Sequence, residues 1–289
     1  MADNRPIGVF DSGLGGLTVV KALQKLLPSE SILYFGDTAR VPYGNKSKNL
    51  IELYSTQISS FLYEKKCKAF VVACNTASAQ ALEVLQKTFP IPVIGVIEPG
   101  VNMAISTSKN GHIGVIGTVA TIKSDAYEIA LKNKNENVIV LNQPCPLFVP
   151  LVEEGWITGD VPKMVAKTYL KGMNADQVDT IILGCTHYPL LKELIQSSAN
   201  GDTILIDSAE AVATEVKQVL QKNDLITEIS YSTKEQKTSQ MSPVGQNLPS
   251  FTIENCGARE ITCELGPDIF RSANALQTEN TFFKAKLTY

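Results

Sequence analysis

Val71-Val72-Ala73-Cys74-Asn75-Thr76-Ala77 is the stretch on which the reading of this chain turns, because Ile181-Ile182-Leu183-Gly184-Cys185-Thr186-His187-Tyr188 repeats its pattern. Each is an apolar, β-prone run that ends in a thiol and passes into polar residues suited to capping a helix. The repetition has a second instance. Pro6-Ile7-Gly8-Val9-Phe10-Asp11-Ser12 is echoed by His112-Ile113-Gly114-Val115-Ile116-Gly117-Thr118, at a similar offset of about 110 residues, far too long for a solenoid repeat. A duplicated α/β unit follows. The expected fold is α/β, with two pseudosymmetric three-layer α/β/α lobes and mostly parallel sheets. Parallel sheets bind ligands outside the carboxyl ends of their strands, so both cysteine-bearing strand ends are expected to line the cleft between the lobes.

Working outward, Ile7–Phe10 reads as a strand, Asp11-Ser12-Gly13-Leu14-Gly15-Gly16 as a turn-rich loop, and Leu17–Leu27 as a helix stopped by Pro28. Strands are expected at Ser31–Phe35, Ala69–Ala73 and Pro92–Ile97, the last closed by Glu98-Pro99-Gly100, and helices at Leu50–Tyr63 and Ser78–Thr88. Thr203–Asp207 supplies one more strand-to-helix junction. It returns the chain to the first lobe, with a helix to about Gln221. The first lobe is thus expected to hold residues 1–97 and 207–289, and the second residues 98–206. Ser232–Ser250 has the composition of a solvated loop. Phe251–Tyr289 shows no firm periodicity.

A length of 289 residues suits two domains of ordinary size. The apolar fraction of 44% and charged fraction of 19% are those of a soluble globular protein. A net charge of -3 gives no electrostatic case for nucleic acid or an anionic membrane. The partner is expected to be a small molecule. With no export signal and no membrane-spanning run in the sequence, the expected location is cytoplasmic. The six cysteines lack framework spacing and are expected to be reduced. Cys67 and Cys145 read as packing residues.

Cys74 and Cys185 read differently, since a thiol between a buried strand and a helix N-terminus has its pKa lowered from ~8.5 toward ~3.5–7.5. Such thiols can serve as bases. The Asp11–Gly16 loop lacks the lysine of a phosphate loop, and its glycines miss the third position of a dinucleotide fingerprint. Asp11 suits an ammonium group, and the Ser12 hydroxyl with the loop amides suits a carboxylate. That is amino-acid chemistry. Asn75, Thr76 and Thr186 either cap helices or offer neutral hydrogen bonds to a ligand. Tyr43-Gly44 either reverses the chain or presents backbone amides. His187, two residues past Cys185, is one of only two histidines.

These motifs, with Gly36-Asp37-Thr38-Ala39-Arg40-Val41-Pro42-Tyr43-Gly44, Leu151-Val152-Glu153-Glu154-Gly155 and Leu183–Leu190 in order, resemble those of the cofactor-independent aspartate/glutamate racemases, and among them the glutamate racemases. The resemblance runs from about Ile7 to Ala213. It implies interconversion of L- and D-glutamate without pyridoxal phosphate, no cofactor or metal, supply of D-glutamate to peptidoglycan, and a homodimer. It further implies Cys74 and Cys185 as paired acid/base residues, assisted by Asp11, Glu153 and His187. Substrate contacts would come from Asp11, Ser12, Tyr43, Gly44, Asn75, Thr76, Thr186 and His187. From about Thr233 onward the chain departs from that family.

Three other readings stay open at this stage. Aspartate or another amino acid is an alternative substrate. Cys74, Cys185, His187 and Asp11 could hold zinc for a hydrolase, although tight ligand spacing is missing. A non-catalytic amino-acid sensor would use the thiols only for packing.

Overall fold

The computed structural model describes residues 3–227 together with strands at 250–255, 260–264 and 283–286. The first lobe opens with β1 (Ile7–Asp11), α1 (Leu17–Leu26), β2 (Ile32–Gly36), α2 (Lys48–Glu64), β3 (Ala69–Val72), α3 (Asn75–Thr88) and β4 (Val93–Gly95). The pattern restarts with α4 (Ile97–Thr107), β5 (His112–Gly117), α5 (Val119–Lys123), α6 (Ala126–Lys134), β6 (Ile139–Pro144), α7 (Phe148–Glu153), α8 (Asp160–Ala175), β7 (Thr180–Gly184), α9 (Lys192–Ser198) and β8 (Ile204–Ile206). Helix α10 (Ser208–Lys222) follows, and then β9 (Ser250–Asn255), β10 (Glu260–Glu264) and β11 (Phe283–Lys286).

Two sheets result. The order β2-β1-β3-β4 is parallel throughout, as is the order β6-β5-β7-β8 of the second sheet. Strand β11 joins β2 antiparallel and carries β9 and β10 beyond it, so among the described residues the first sheet has seven strands. The polar stretch expected as a solvated loop lies outside the described residues apart from Ser250, which opens β9.

Side chains alternating along each strand divide the apolar residues between two faces. Ile7 and Val9 of β1 pack with α1 and α10, whereas Phe10 packs with residues of α2 and α3. The second sheet is sandwiched likewise, Ile113 and Val115 against α4 and α6, and Ile116 against α7, α8 and α9. Helix α10 therefore closes the first lobe against α1, although it follows β8 of the second sheet. Fully burying each such side chain is worth about 1.5–3 kcal/mol, which is what holds three layers together.

Two local expectations need correction. Glu98-Pro99-Gly100 does not close a strand; it lies in the first turn of α4, where proline's missing N–H has no helical partner to lose. Helix α3 begins at Asn75 rather than Ser78, because Cys74 itself is the N-cap, its Sγ accepting from the Ala77 amide at 3.5 Å.

Candidate active site

A cavity of about 210 Å³ opens between the lobes, lined from the first lobe by Ser12, Val41–Asn45 and Cys74–Thr76, and from the second by Thr118, Val119, Cys145, Pro146, Val149, Pro150, Glu153 and Cys185–His187. It lies at the carboxyl ends of β1, β3, β5 and β7. The repeat accounts for this. Equivalent strand ends of two similar sheets face one another, and each delivers its thiol into the same space.

The two thiols are presented differently. Cys74 caps α3, but no α-helix starts behind Cys185; a short 3₁₀ turn over Tyr188–Leu191 precedes α9. Tyr188 anchors the turn. Its buried ring packs edge-on against Phe148 at 5.2 Å and its hydroxyl donates to the Cys145 carbonyl at 2.9 Å, drawing the segment toward α7.

The expected lowering of the thiol pKa fails at Cys74. Burial chiefly, and then the neighbouring Asp11 carboxylate, push the thiol up to about 12, outweighing the Ala77 amide and Ser12 hydroxyl that favour the anion. Cys74 is a protonated thiol at rest. His187 moves up as well, to about 10. Burial, the largest single influence, opposes its charge, but Cys185, Glu153 and Asp11 together outweigh it. Its Nδ1 stands 3.8 Å from Cys185 Sγ and its Nε2 3.5 Å from Glu153 Oε1. Glu153, at the end of α7, is therefore no purely solvated acid.

Asp11 is fully buried at the end of β1. It accepts from the Gly13 amide at 3.0 Å and, across the cleft, from the Thr186 hydroxyl at 3.4 Å. The loop that carries it is held by the Tyr34 hydroxyl, which donates to the Gly13 carbonyl at 2.7 Å. Tyr43 is buried and its hydroxyl donates to Asp37 at 2.5 Å, an acid also paired with Arg40. That phenol is already committed, which leaves the backbone of Tyr43 and Gly44 to meet a ligand.

Hydroxyls from both lobes meet beside Cys74. Thr76 Oγ1 lies 3.0 Å from Thr118 Oγ1 and 3.1 Å from Thr121 Oγ1. Asn75 accepts the Tyr127 hydroxyl through Oδ1, and its buried Nδ2 has no hydrogen-bond partner. The residues expected at the site are thus brought together around one cavity, with Asp11 buried beside its wall rather than lining it. Thr118, Thr121, Tyr127 and Cys145 were not foreseen, yet one signal existed: Thr118 stands in the repeat where Ser12 stands in the first copy. Cys145 is buried as expected, but it also lines the cavity.

Among the described residues, no group of three or more His, Cys, Asp or Glu is disposed to hold a metal ion, and no helix is long and apolar enough to cross a membrane.

Comparison with known proteins gives a consistent answer. Residues 14–216 match the family model described as Asp/Glu/Hydantoin racemase. A glutamate racemase of Geobacter metallireducens is 53% identical over 222 residues, covering 77% of this chain and 82% of that protein. One from Aquifex aeolicus is 55% identical over 218 residues, covering 75% of this chain and 84% of the relative. The crystal structure of a Francisella tularensis glutamate racemase in complex with D-glutamate superposes with a TM-score of 0.74 at 44% identity, covering 80% of this chain and 85% of that one. The chain belongs to the Asp/Glu/Hydantoin racemase family and is an amino-acid racemase.

Proposed function

We propose that this racemase interconverts L- and D-glutamate by a two-base mechanism in which Cys74 and Cys185 exchange roles, with no pyridoxal phosphate or metal, and so supplies D-glutamate for peptidoglycan. The observation that carries this reading is that two thiols from opposite lobes line one cavity of about 210 Å³, a size suited to a single small ligand. Glutamate as substrate is supported by the names of the relatives at about 50% identity and by the D-glutamate bound in the Francisella enzyme.

Inversion needs an acid and a base on opposite faces of the α-carbon. One thiolate removes the α-proton while the opposite thiol delivers its own proton to the other face; in the reverse direction the roles swap. A protonated His187 beside Cys185 offsets negative charge on that sulfur, and Glu153 steadies the imidazolium. Asp11 sets up a conflict, since it disfavours a thiolate at Cys74. The substrate ammonium resolves the conflict. Docked against Asp11, it offsets the charge that adds to burial in keeping Cys74 protonated, so ionisation of Cys74 is coupled to binding.

Removal of the α-proton spreads charge onto the α-carboxylate. Hydroxyls of Ser12, Thr76 and Thr186, the Asn75 amide and the backbone of Tyr43-Gly44 are the groups proposed to hold the two carboxylates, in a cleft where hydrogen bonds are strengthened by exclusion of water.

Racemisation in deuterated solvent tests the scheme. Starting from either enantiomer, deuterium is expected first in the inverted product, while the remaining substrate keeps its proton; Cys74→Ala and Cys185→Ala each abolish conversion. Early wash-in of deuterium to unconverted substrate, or full activity in either variant, sinks the two-thiol scheme.

A further inference from the structure

Tyr127, on α6 of the second lobe, is fully buried in the apolar layer with Ile97, Val101 and Ile182, yet its hydroxyl reaches into the first lobe. It donates to Asn75 Oδ1 at 2.6 Å, one residue from Cys74. Its ring also stands near Gly184, one residue before Cys185. A Cβ on Gly184 would approach Tyr127 Cε2 to 3.3 Å and the Ile116 carbonyl oxygen to 2.7 Å. One phenol therefore bonds to the neighbour of one thiol and stands beside the neighbour of the other.

The hydrogen bond also decides which way the Asn75 amide faces. Oxygen and nitrogen of an amide are nearly isosteric, so orientation is set by the partners on offer. A flipped Asn75 could still donate to the phenol oxygen, but it would leave the buried phenol O–H without its acceptor. Held as it is, Asn75 has a buried Nδ2 with no partner in the chain, although Asn75 lines the cavity. Proteins rarely leave such a donor unmade except where something else completes it.

We propose that Tyr127 is a positioning residue of the racemisation: its O–H fixes the Asn75 amide so that Nδ2 is kept as donor to the substrate's α-carboxylate and to the charge that spreads there when the α-proton leaves. The inference rests on the racemase reading above, and it adds a residue that itself does not line the cavity. Flipped, the amide would turn an oxygen toward the carboxylate and repel it.

Tyr127→Phe removes the O–H and keeps the ring. The expected result is about a tenfold fall in kcat/KM, the scale of one well-placed hydrogen bond, with KM raised and kcat lowered together. In an Asn75→Ala background the same change is expected to alter kcat/KM less than twofold, because the phenol acts through Asn75. A wild-type kcat/KM in Tyr127→Phe overturns the inference. So does a tenfold fall that persists without Asn75, or a fall in kcat at unchanged KM, which is the mark of a smaller folded fraction. Should the variant not fold, the full-length enzyme decides: the Asn75 side-chain amide signals, assigned by their loss in Asn75→Ala, are expected to shift on saturation with D-glutamate, and an unmoved pair refutes the role. Inactivity of the wild-type chain on glutamate, or an active Cys74→Ala, would instead remove the two-thiol glutamate reading proposed above.

Discussion

Gly15 and Thr186, from opposite lobes, approach so closely that a Cβ on Gly15 would overlap Thr186 Oγ1 and stand 3.0 Å from His187 Nδ1. The Asp11–Gly16 loop can therefore lie against the segment carrying the second thiol only where it has no side chain. The bond from Thr186 to Asp11 depends on the same approach.

Gly15→Ala is expected to push Thr186 and His187 away from the cleft. A displacement of about 1 Å at reacting groups costs on the order of 100-fold in rate, so kcat should drop by about that factor. Steady-state kinetics beside a thermal melt checks this. The idea fails if the variant turns over at the wild-type rate.

His187 is expected to give the reaction an alkaline limb. Its pKa in the folded protein lies above the ordinary 6.5, at about 10, so the charged imidazolium persists through neutral pH and is lost as pH rises through about 10. Any stability it lends follows the same sign: fully present below about 6.5, declining as pH climbs to about 10. Activity is expected to fall over that alkaline range, and His187→Asn to remove the limb from the pH profile of kcat/KM as well as lowering its plateau. An unchanged limb in the variant would assign the titration to another group.

Far from the cleft, Lys68 and Glu30 form a fully buried ion pair at 2.5 Å. Lys68 Nζ also donates to the Asp3 carbonyl at 2.7 Å, and Glu30 accepts from the Thr227 amide at 2.8 Å and from its hydroxyl at 2.9 Å. The pair ties the entry of the chain to the segment leaving α10. Removing one partner strands a buried charge, so Lys68→Met is expected to cost about 3–5 kcal/mol, and a Lys68→Met, Glu30→Leu double variant to recover most of it. Urea unfolding measures both. Lys68 and Cys74 flank opposite ends of β3, a strand roughly 13 Å long, so the folded variant should keep kcat within about twofold.

Much of this molecule was written locally. The strands ending at Cys74 and Cys185, the loop after β1 and the duplicated order of elements all come from short-range pattern, because a buried parallel strand must be continuously apolar whatever surrounds it. The antiparallel additions were less legible. Phe251-Thr252-Ile253-Glu254 and Ile261-Thr262-Cys263-Glu264 do alternate, but such short runs gain meaning only through β11, which pairs with β9 on one side and, on the other, with β2, more than 200 residues earlier in the chain.

The sequence alone determined which residue types stand at the strand ends, and hence that two thiols, an acid and an imidazole were available for amino-acid chemistry. Only the tertiary structure decided their protonation and their bonds. Cys74 has a helix N-terminus behind it, which by itself favours the anion, yet burial and Asp11, distant in sequence, hold it protonated. Tyr127, likewise, looks like an ordinary aromatic core residue until the lobes meet and its hydroxyl finds Asn75. Desolvation and charge–charge effects depend on distance through space, and no local pattern encodes that distance.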